Sequence, residues 1–508
     1  MNPSKTHPTL RLNANDNVII ARVDLQPGAL LPDDAITCQE RIPAGHKLAT
    51  EAISPDDPVR KYGQIIGFAT SPIKPGEHVH THNMSLKEFD RDYAYAEDAQ
   101  PTEFIQENLQ ATFEGFVRGD GRVGTRNYLG VLPTVNCSAS VCHLIAAAFR
   151  ENVLADFPNV DGVVALTHQD GCSGAGEGVG FEILQRTLAG YIRHPNFAAV
   201  LLVGLGCEVN QIDDLLGNMQ LETNSMFRTL TIQEVGGSQA AVREAVAHLR
   251  EISQEADRAV RTRVPASHLT LALECGGSDA FSGITANPAL GVAVDKLIRH
   301  GGAAILSETP EVYGAEHLLT RRAERRDVGE KLVARIRWWK DYAAQFDQAL
   351  DNNPTPGNKA GGLTTILEKS LGAISKGGTT NLTKVLHYAE RATQRGLIFM
   401  DTPGYDAASV TGMVVGGANL VCFTTGRGSI FGSKPAPTLK LASNSSMYQH
   451  MQEDMDINCG KIADGDATIE EMGEQIFQAV LDTASGRKTK SESVGDHEFV
   501  PWRMGPVL

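Results

Sequence analysis

Residues 274–288, with the sequence ECGGSDAFSGITANP, follow the apolar run Leu269–Leu273. The apolar run predicts a buried strand, and the stretch after it brings together a thiol, two flexible glycines, a hydroxyl and a carboxylate. Glycines let a ligand approach the backbone closely, and loops carried by a rigid strand are frequent binding sites. The composition of this stretch is therefore typical of a functional site and not of a hydrophobic core.

Three other predicted strands run into a cysteine-containing loop of the same kind. The strands and the cysteines that follow them are Tyr128–Leu132 with Cys137, Val160–Leu166 with Cys172, and Ala198–Val203 with Cys207. Cysteine is among the most frequently buried residue types, so each thiol taken alone could simply belong to the core. Four thiols at one kind of location, Cys275 included, favour a shared site.

Composition and charge exclude several classes of protein. The chain has 508 residues, 42% of them hydrophobic and 21% charged, which is typical of a globular protein with two to four domains. A net charge of −15, without any cluster of Lys and Arg, argues against nucleic-acid binding. No apolar segment resembles a signal peptide or a membrane span, so we expect no membrane association and a cytoplasmic location. In that reducing compartment the eight cysteines should be free, metal-bound or catalytic.

The chain is predicted to be a multidomain α/β protein. Short alternating apolar segments between Pro-Gly turns predict a small all-β module at the N-terminus. Farther on, apolar strands alternate with helical patterns, which predicts two α/β domains with mainly parallel sheets covered by helices. The predicted boundaries are residues 1–90 for the β module, 91–114 for a linker, 115–263 for the second domain and 264–508 for the C-terminal domain. Ligands of such sheets bind beyond the carboxyl ends of the strands, where the cysteine loops should lie.

Two further patterns refine this prediction. A helical pattern covers Gln239–Arg261 and should end before Pro265, because proline stops a helix. The loop at residues 353–362 contains two prolines and three glycines together with Asn358 and Lys359, which favours a structured loop that faces a substrate.

The β module carries a cluster of histidines. In a strand alternate side chains share a face, so His78, His80 and His82 should project together. Three imidazoles on one face could form a metal or anion site. A solvated edge strand with polar residues outward is an equally good explanation of the spacing.

Several longer motifs resemble those of the altronate dehydratase/galactarate dehydratase family. The motifs are Gly45–Lys47, Lys61–Gly63, His80–Asn83, Gly115–Asn127, Gly204–Glu208, Cys275–Asp279, Pro356–Lys359 and Thr424–Gly428. They are spread over nearly the whole chain. The resemblance implies an N-terminal β-clip module of the SAF type, followed by two α/β domains. It also implies dehydration of a sugar acid to a 2-keto-3-deoxy acid, with dependence on ferrous iron or a similar divalent ion.

This chemistry explains why such residue types should be present. Removing the proton next to a carboxylate requires a cation at the carboxylate and hydroxyl oxygens and a base of suitable pKa. The candidate bases are His46, Lys47, Lys61 and Tyr62, and the sequence does not decide among them. The candidate substrate-binding residues are Arg126, Asn127, Ser278, Asp279, Asn358, Lys359 and Arg427.

Two models of the metal site remain open. In the first, His46, His80 and His82 bind a single Fe²⁺ or Mn²⁺. In the second, strand-end cysteines bind iron or an iron–sulfur cluster; these cysteines are Cys137, Cys172, Cys207 and, as an additional ligand, Cys275. No CxxC pair is present, so a zinc ribbon or a ferredoxin-type cluster within one loop is excluded.

The position of the β module and the exact activity also have alternatives. We expect the module to dock over the loops of Cys137 and Cys275, with the linker crossing the second domain to bring it there. The alternative functions are a lyase that eliminates another substituent, such as sulfite, from a hydroxy acid, and a non-catalytic sugar-acid sensor. The expected partner is a small-molecule sugar acid, and a homo-oligomer is left open.

Overall fold

The computed structural model describes residues 7–149, 151–174, 176–494 and 499–504. Within these ranges the chain forms the predicted β module followed by α/β units with parallel sheets, so the predicted fold class is confirmed. No helix in the described ranges combines the length and the apolar character needed to cross a bilayer. The residue boundaries between the domains stay a prediction.

Within residues 7–90 the N-terminal module contains nine short strands. They are β1 (Thr9–Leu10), β2 (Val18–Ala21), β3 (Leu30–Leu31), β4 (Ile36–Thr37), β5 (Lys47–Ala49), β6 (Pro58–Lys61), β7 (Gln64–Ala69), β8 (His78–Val79) and β9 (Met84–Ser85). They pair antiparallel in three small sheets, in the orders β1-β2-β5-β8, β3-β4 and β6-β7-β9. The strand predicted through all three histidines ends at Val79. The chain then turns, because Asn83 donates from its backbone to His80 and from its side chain to the carbonyl of His78.

The segment between the module and the second domain runs along the C-terminal domain. The backbone amides of Ala96, Asp98 and Ile105 donate to the carbonyls of Thr320, Arg321 and Arg299, respectively. The expectation that this segment crosses the second domain is therefore wrong. Its polar, patternless sequence gave no indication of which surface would accept its backbone hydrogen bonds.

The second domain contains a parallel sheet of four strands. In chain order its strands are β12 (Tyr128–Pro133), β13 (Gly162–Ala165), β14 (Phe197–Gly204) and β15 (Phe227–Thr231), and their order in the sheet is β13-β12-β14-β15. A separate antiparallel sheet is formed by β10 (Thr112–Val117), β11 (Val123–Gly124) and β16 (Thr262–Pro265). The helices are α1 (Ala139–Ala147), α2 (Glu151–Leu154), α3 (Val179–Ile192), α4 (Ile212–Asn218) and α5 (Ser238–Ala256).

The last predicted helix of this domain is shorter than its pattern indicates. Helix α5 ends at Ala256 and not at Arg261, and residues Thr262–Pro265 pair with Thr112–Gly115 as a strand. Asp257, at the end of the helix, accepts a hydrogen bond from the backbone of Asn159. Tertiary partners thus outweigh the helical pattern at this end.

The C-terminal domain is built on a parallel sheet of seven strands. These are β17 (Thr270–Cys275), β18 (Ala303–Leu306), β19 (Leu382–Leu386), β20 (Gly396–Met400), β21 (Leu420–Thr425), β22 (Thr438–Ala442) and β23 (Ile457–Asn458), in the order β19-β20-β18-β17-β21-β22-β23. The helices are α6 (Ala286–Arg299), α7 (Thr309–Val312), α8 (Glu316–Thr320), α9 (Arg326–Ala344), α10 (Pro356–Ala360), α11 (Ile366–Ile374), α12 (Asp406–Val415), α13 (Ser445–His450), α14 (Lys461–Asp464) and α15 (Ile469–Ala484). The central position of β17 places Cys275 and the loop after it at the middle of the carboxyl edge.

Candidate active site

Three histidines of the β module converge on one point. The ligating nitrogens of His46, His78 and His80 all lie within 4.8 Å of one another, and Nδ1 of His46 is 3.0 Å from Nε2 of His78. The buried Nδ1 of His80 has no hydrogen-bond partner among the described residues. A buried nitrogen without a partner is costly, and a bound cation would remove that cost. This group is called the histidine group below.

Local structure explains how these rings meet. His46 follows Gly45, whose φ of 83° lets the chain turn tightly before β5. His78 lies in β8 opposite Leu48 of β5, and the turn made by Asn83 brings His80 back to the same side. The sequence predicted that His78, His80 and His82 share one face of a strand. His78 and His80 do meet, but through a turn and not by strand alternation, and His82 lies outside their group.

The histidine group is uncharged at neutral pH. Burial, reinforced by the other imidazoles and Lys47, lowers the pKa of His78 to about 3 and that of His80 to about 4. Burial also lowers the pKa of His46. Neutral imidazoles offer lone pairs, as metal ligands must. His82 is exposed, its ring 5.5 Å from that of His78, and is not a member of the group.

The histidine group faces the C-terminal domain. Nε2 of His46 donates to the carbonyl of Ala360 at 3.3 Å, at the end of helix α10. In a neutral ring with its hydrogen on Nε2, Nδ1 carries the lone pair and points into the group. The module therefore docks near the loop after Cys275, where Gly45 packs against Phe281. No hydrogen bond joins the module to the Cys137 loop within the described chain, so that half of the expected docking is wrong.

Lys47 and Lys61 fix the module to the C-terminal domain. Lys47 donates to Glu368 at 2.9 Å and to the carbonyl of Gly362 at 2.7 Å, and Lys61 donates to the other carboxylate oxygen of Glu368 at 2.8 Å. All three side chains are essentially inaccessible to solvent. Although burial alone would raise it, the two ammonium groups hold the pKa of Glu368 below its ordinary value. Both lysines thus have a structural partner in place of contact with a substrate.

Tyr62 also lies at this interface. Its ring lies 4.8 Å from the ammonium group of Lys61, and its hydroxyl packs closely against Gly283, where a side chain would collide with it. Burial raises the pKa of the hydroxyl. Of the four predicted bases, only His46 belongs to the histidine group.

The predicted substrate-binding residues fall into three sets. Asn358 donates to the carbonyl of Ser278 at 2.7 Å, and Asp279 accepts from Ser282, Ser443 and Asn444, so these residues hold the loops in place. Lys359 and Arg427 have no side-chain partner within the described ranges. Lys359 directly precedes Ala360, and Arg427 lies beside Gly361. Both residues therefore lie on segments next to Ala360, which contacts His46, and neither has a described partner that would compete with an anionic ligand.

Arg126 and Asn127 lie elsewhere, between the second and C-terminal domains. The guanidinium of Arg126 is bidentate to Glu492, at 2.7 and 2.8 Å, and also donates to three backbone carbonyls. The side-chain amide of Asn127 donates to the carbonyls of Asn159 and Ala256. Both residues are fully buried, and their donors are already used. The structure therefore does not place them where a substrate could bind.

The four strand-end cysteines do not form one set. Cys275 is buried at the end of β17, where its ligating atom and those of Glu308 and Glu311 all lie within 4.8 Å of one another. Cys137, Cys172 and Cys207 are exposed on the second domain. Cys275 ends a strand of the seven-stranded sheet, whereas the other three cysteines follow strands of the four-stranded sheet of the second domain.

Sequence reasoning did not single out the acidic residues around Cys275 as functional. Glu274, Glu308 and Asp406 form a second group of carboxylates within 4.8 Å, and Glu311 pairs with Lys369 at 2.7 Å. Burial, together with the nearby Glu308 and Glu311, raises the pKa of Asp406 to about 7. Glu308 follows the end of β18 by two residues and Glu311 lies in helix α7, so their position just after a strand end was the available signal.

Comparison with known proteins gives a consistent result over the whole chain. Residues 7–87 match the "Altronate/galactarate dehydratase SAF domain", residues 115–257 the "D-galactarate dehydratase/Altronate hydrolase, second domain", and residues 266–507 the "D-galactarate/Altronate dehydratase, C-terminal". The altronate dehydratase of Bacillus subtilis is 36% identical, over 98% of this chain and 99% of that protein. The altronate dehydratase of Escherichia coli is 35% identical over 98% of this chain and 99% of that protein. The galactarate dehydratase (L-threo-forming) of the same organism is 36% identical over 98% of this chain and 97% of that protein.

Replacement of Glu368 tests the docking of the module. In a Glu368→Gln variant two buried ammonium groups lose their counter-charge, and we expect a loss of about 3–5 kcal/mol in the free energy of unfolding. We also expect faster proteolysis of the segment at residues 85–111. The exposed Glu51→Gln is the control and should change stability by less than about 0.5 kcal/mol. Denaturant unfolding and limited proteolysis provide the measurements, and equal stability of the two variants would contradict the prediction.

The contribution of Glu368 to the free energy of unfolding should depend on pH. Because the pKa of Glu368 lies below its ordinary value of 4.5, its stabilising contribution is complete above that pH. The contribution is lost only as the pH falls toward the lower, folded-state pKa. The difference in stability between wild type and Glu368→Gln should therefore be constant at neutral pH and shrink in strong acid.

Proposed function

Because the chain belongs to the D-galactarate/altronate dehydratase family, we propose that it is a metal-dependent hydro-lyase acting on a sugar acid. The substrate is an aldonate such as altronate or an aldarate such as galactarate, and the product is a 2-keto-3-deoxy acid. The reaction removes the proton next to the carboxylate and the hydroxyl on the following carbon. The identity of the relatives supports the reaction class.

One observation supports the location of the site: the histidine group combines three converging, neutral imidazoles with an unpartnered buried nitrogen on His80. Nitrogen ligands of this kind suit a divalent first-row metal, and we assign Fe²⁺, with Mn²⁺ as the alternative. The ligands are His46, His78 and His80, so His78 takes the place expected for His82. When bound, the metal would supply a Lewis acid for the carboxylate and hydroxyl oxygens of the substrate.

The cations next to the histidine group have separate roles in this proposal. Arg427 pairs with the substrate carboxylate, for which a guanidinium has the right planar geometry. Lys359 lies in helix α10, whose Ala360 carbonyl contacts His46, and acts here as an uncharged amine that accepts the proton from the carbon next to the carboxylate. It then passes that proton to the departing hydroxyl, which leaves as water, and the enol product rearranges to the keto acid.

The substrate prediction is tested with a panel of acids. Protein reconstituted with Fe²⁺ under reducing conditions should form a 2-keto-3-deoxy acid from altronate or galactarate, and a chelator should abolish turnover. The panel includes (2R)-sulfolactate, because the beta subunit of a sulfolactate sulfo-lyase is 33% identical over 77% of this chain. Release of sulfite would support the alternative lyase. Binding of a sugar acid without turnover, at any metal loading, would support a sensor instead.

The metal assignment is tested by metal content and not by activity alone. His78→Ala and His80→Ala should each lower Fe²⁺ affinity by about 10-fold or more, because each removes one ligand. His82→Ala is the matched control from the same turn and should keep wild-type affinity. Calorimetric titration with Fe²⁺ or Mn²⁺ measures the metal affinity of each variant and of the wild type. Loss of affinity in His82→Ala, with normal affinity in His78→Ala, would instead support His46, His80 and His82, the ligands predicted from sequence.

The roles of the two cations are tested by steady-state kinetics. Lys359→Gln should lower kcat by about 10²–10⁴-fold with little change in KM, because it removes a group that moves a proton. Arg427→Gln should mainly raise KM, since the carboxylate is bound in both ground and transition states. Lys434→Gln serves as a lysine control on a loop outside the histidine group. A Lys359→Gln enzyme with normal kcat would exclude Lys359 as the base.

A further inference from the structure

Three cysteines of the second domain lie on loops that are tied to one another. Cys137, Cys172 and Cys207 follow β12, β13 and β14, which are neighbours in one parallel sheet. Carboxyl ends of neighbouring parallel strands meet at one edge, so the three loops share that edge. Nothing in the histidine group or in the proposed reaction uses these thiols.

Backbone and side-chain hydrogen bonds hold the three loops together. Asn136, next to Cys137, donates to the carbonyls of Asp170 and His168 at 2.9 and 2.8 Å. The amide of Val209, two residues after Cys207, donates to the carbonyl of Cys172 at 3.0 Å. Desolvation and the neighbouring thiols of Cys172 and Cys207 raise the pKa of the Cys137 thiol. The hydrogen bonds between the loops therefore hold the three thiols near one another.

The exposure of this group distinguishes it from the other cysteines of the chain. Cys137, Cys172 and Cys207 are exposed and reduced, whereas the remaining five cysteines are buried. A small apolar residue such as cysteine has no packing reason to occupy three neighbouring exposed loop positions. Nε2 of Gln233 donates to the sulfur of Cys207 at 3.5 Å. Hydrogen bonds to sulfur of this kind surround protein-bound metal–sulfur centres.

Neighbouring residues that could act as a fourth ligand are already engaged. The carboxylate of Glu208 accepts from Thr134 and from the amides of Leu205 and Gly206. The ring of His168 donates to the carbonyl of Pro133 and accepts from the amide of Asp170. A structural zinc site needs four protein ligands, and the described residues offer three here.

The spacing of the thiols also argues for a cofactor larger than one ion. Groups of described residues whose ligand atoms all lie within 4.8 Å include the histidine group and the acids around Cys275, and the three strand-end thiols are not among them. Thiolates on the corners of a cluster are farther apart than thiolates on a single ion. Soft thiolate ligands select iron–sulfur clusters, zinc or copper(I) over harder cations.

From these contacts we propose that Cys137, Cys172 and Cys207 bind an iron–sulfur cluster through three thiolates. Each thiol would release its proton to solvent when it binds iron. This site belongs to the second domain and is separate from the histidine group, so it does not depend on the proposed reaction.

The experiment measures iron and acid-labile sulfide in full-length protein purified without oxygen. For a cubane we expect about four sulfide ions per chain, broad visible absorption, and a paramagnetic signal after reduction with dithionite. Cys137→Ser, Cys172→Ser and Cys207→Ser should each lose most of the sulfide and the visible absorption. Cys142→Ser, a buried cysteine of the same domain, is the matched control and should keep both. His80→Ala should also keep its sulfide, which separates this site from the histidine group.

A second measurement uses wild-type protein, so its result does not depend on whether the variants fold. In wild-type protein, alkylation followed by mass spectrometry should find the three thiols protected, and removal of iron with a chelator should expose all three together. Protein that contains iron or zinc but no sulfide would overturn the cluster. Full sulfide content in any of the three serine variants, or alkylation of the three thiols in iron-loaded protein, would overturn the assignment of these ligands.

Discussion

The placement of the β module depends on one buried carboxylate, that of Glu368, held between the ammonium groups of Lys47 and Lys61. Its Oε2 also accepts from the amide and the hydroxyl of Thr364, which adds two hydrogen bonds to the two ion pairs. Removing charges from water is costly, and such an arrangement is stable only while all its members are present. Because both lysines come from the module and the acid comes from helix α11, the histidine group is fixed against the end of helix α10.

The C-terminal sheet presents a second concentration of charge. Glu274, Glu308 and Asp406 are close together at its carboxyl edge, and one oxygen each of Glu274 and Glu308 has no hydrogen-bond partner among the described residues. Lys376 lies 3.4 Å from Glu308 and partly balances the group. Burial and the neighbouring Glu308 raise the pKa of Glu274 well above its ordinary value. The sheet edge thus carries polar groups that a packed core would not tolerate without pairing.

Sequence patterns were informative about strands and less informative about helix ends. The predicted strands Tyr128–Leu132 and Ala198–Val203 agree with β12 and β14 to within one residue at each end, because a run of buried apolar residues is a direct consequence of a central parallel strand. Helix α5 ends five residues earlier than its pattern indicates, since pairing of Thr262–Pro265 with β10 is a tertiary interaction. The sequence predicted that histidines converge, but the group contains His78 in place of His82. The turn formed by Asn83 leaves the side chain of His82 exposed.

The sequence by itself determined the properties that depend on neighbouring residues: the β module, the parallel sheets, the cysteine at the end of each of four strands, and the family to which the motifs belong. Only the tertiary structure decided which polar groups have partners. Lys47, Lys61 and Arg126 carry the charge expected of catalytic or binding residues, yet each pairs with an acid several hundred residues away in the chain. The physical reason is that the free energy of a buried charge depends on its partners in space, which local sequence does not specify. The same reason separates Cys275 from Cys137, Cys172 and Cys207: the strands look alike in sequence but belong to two different sheets.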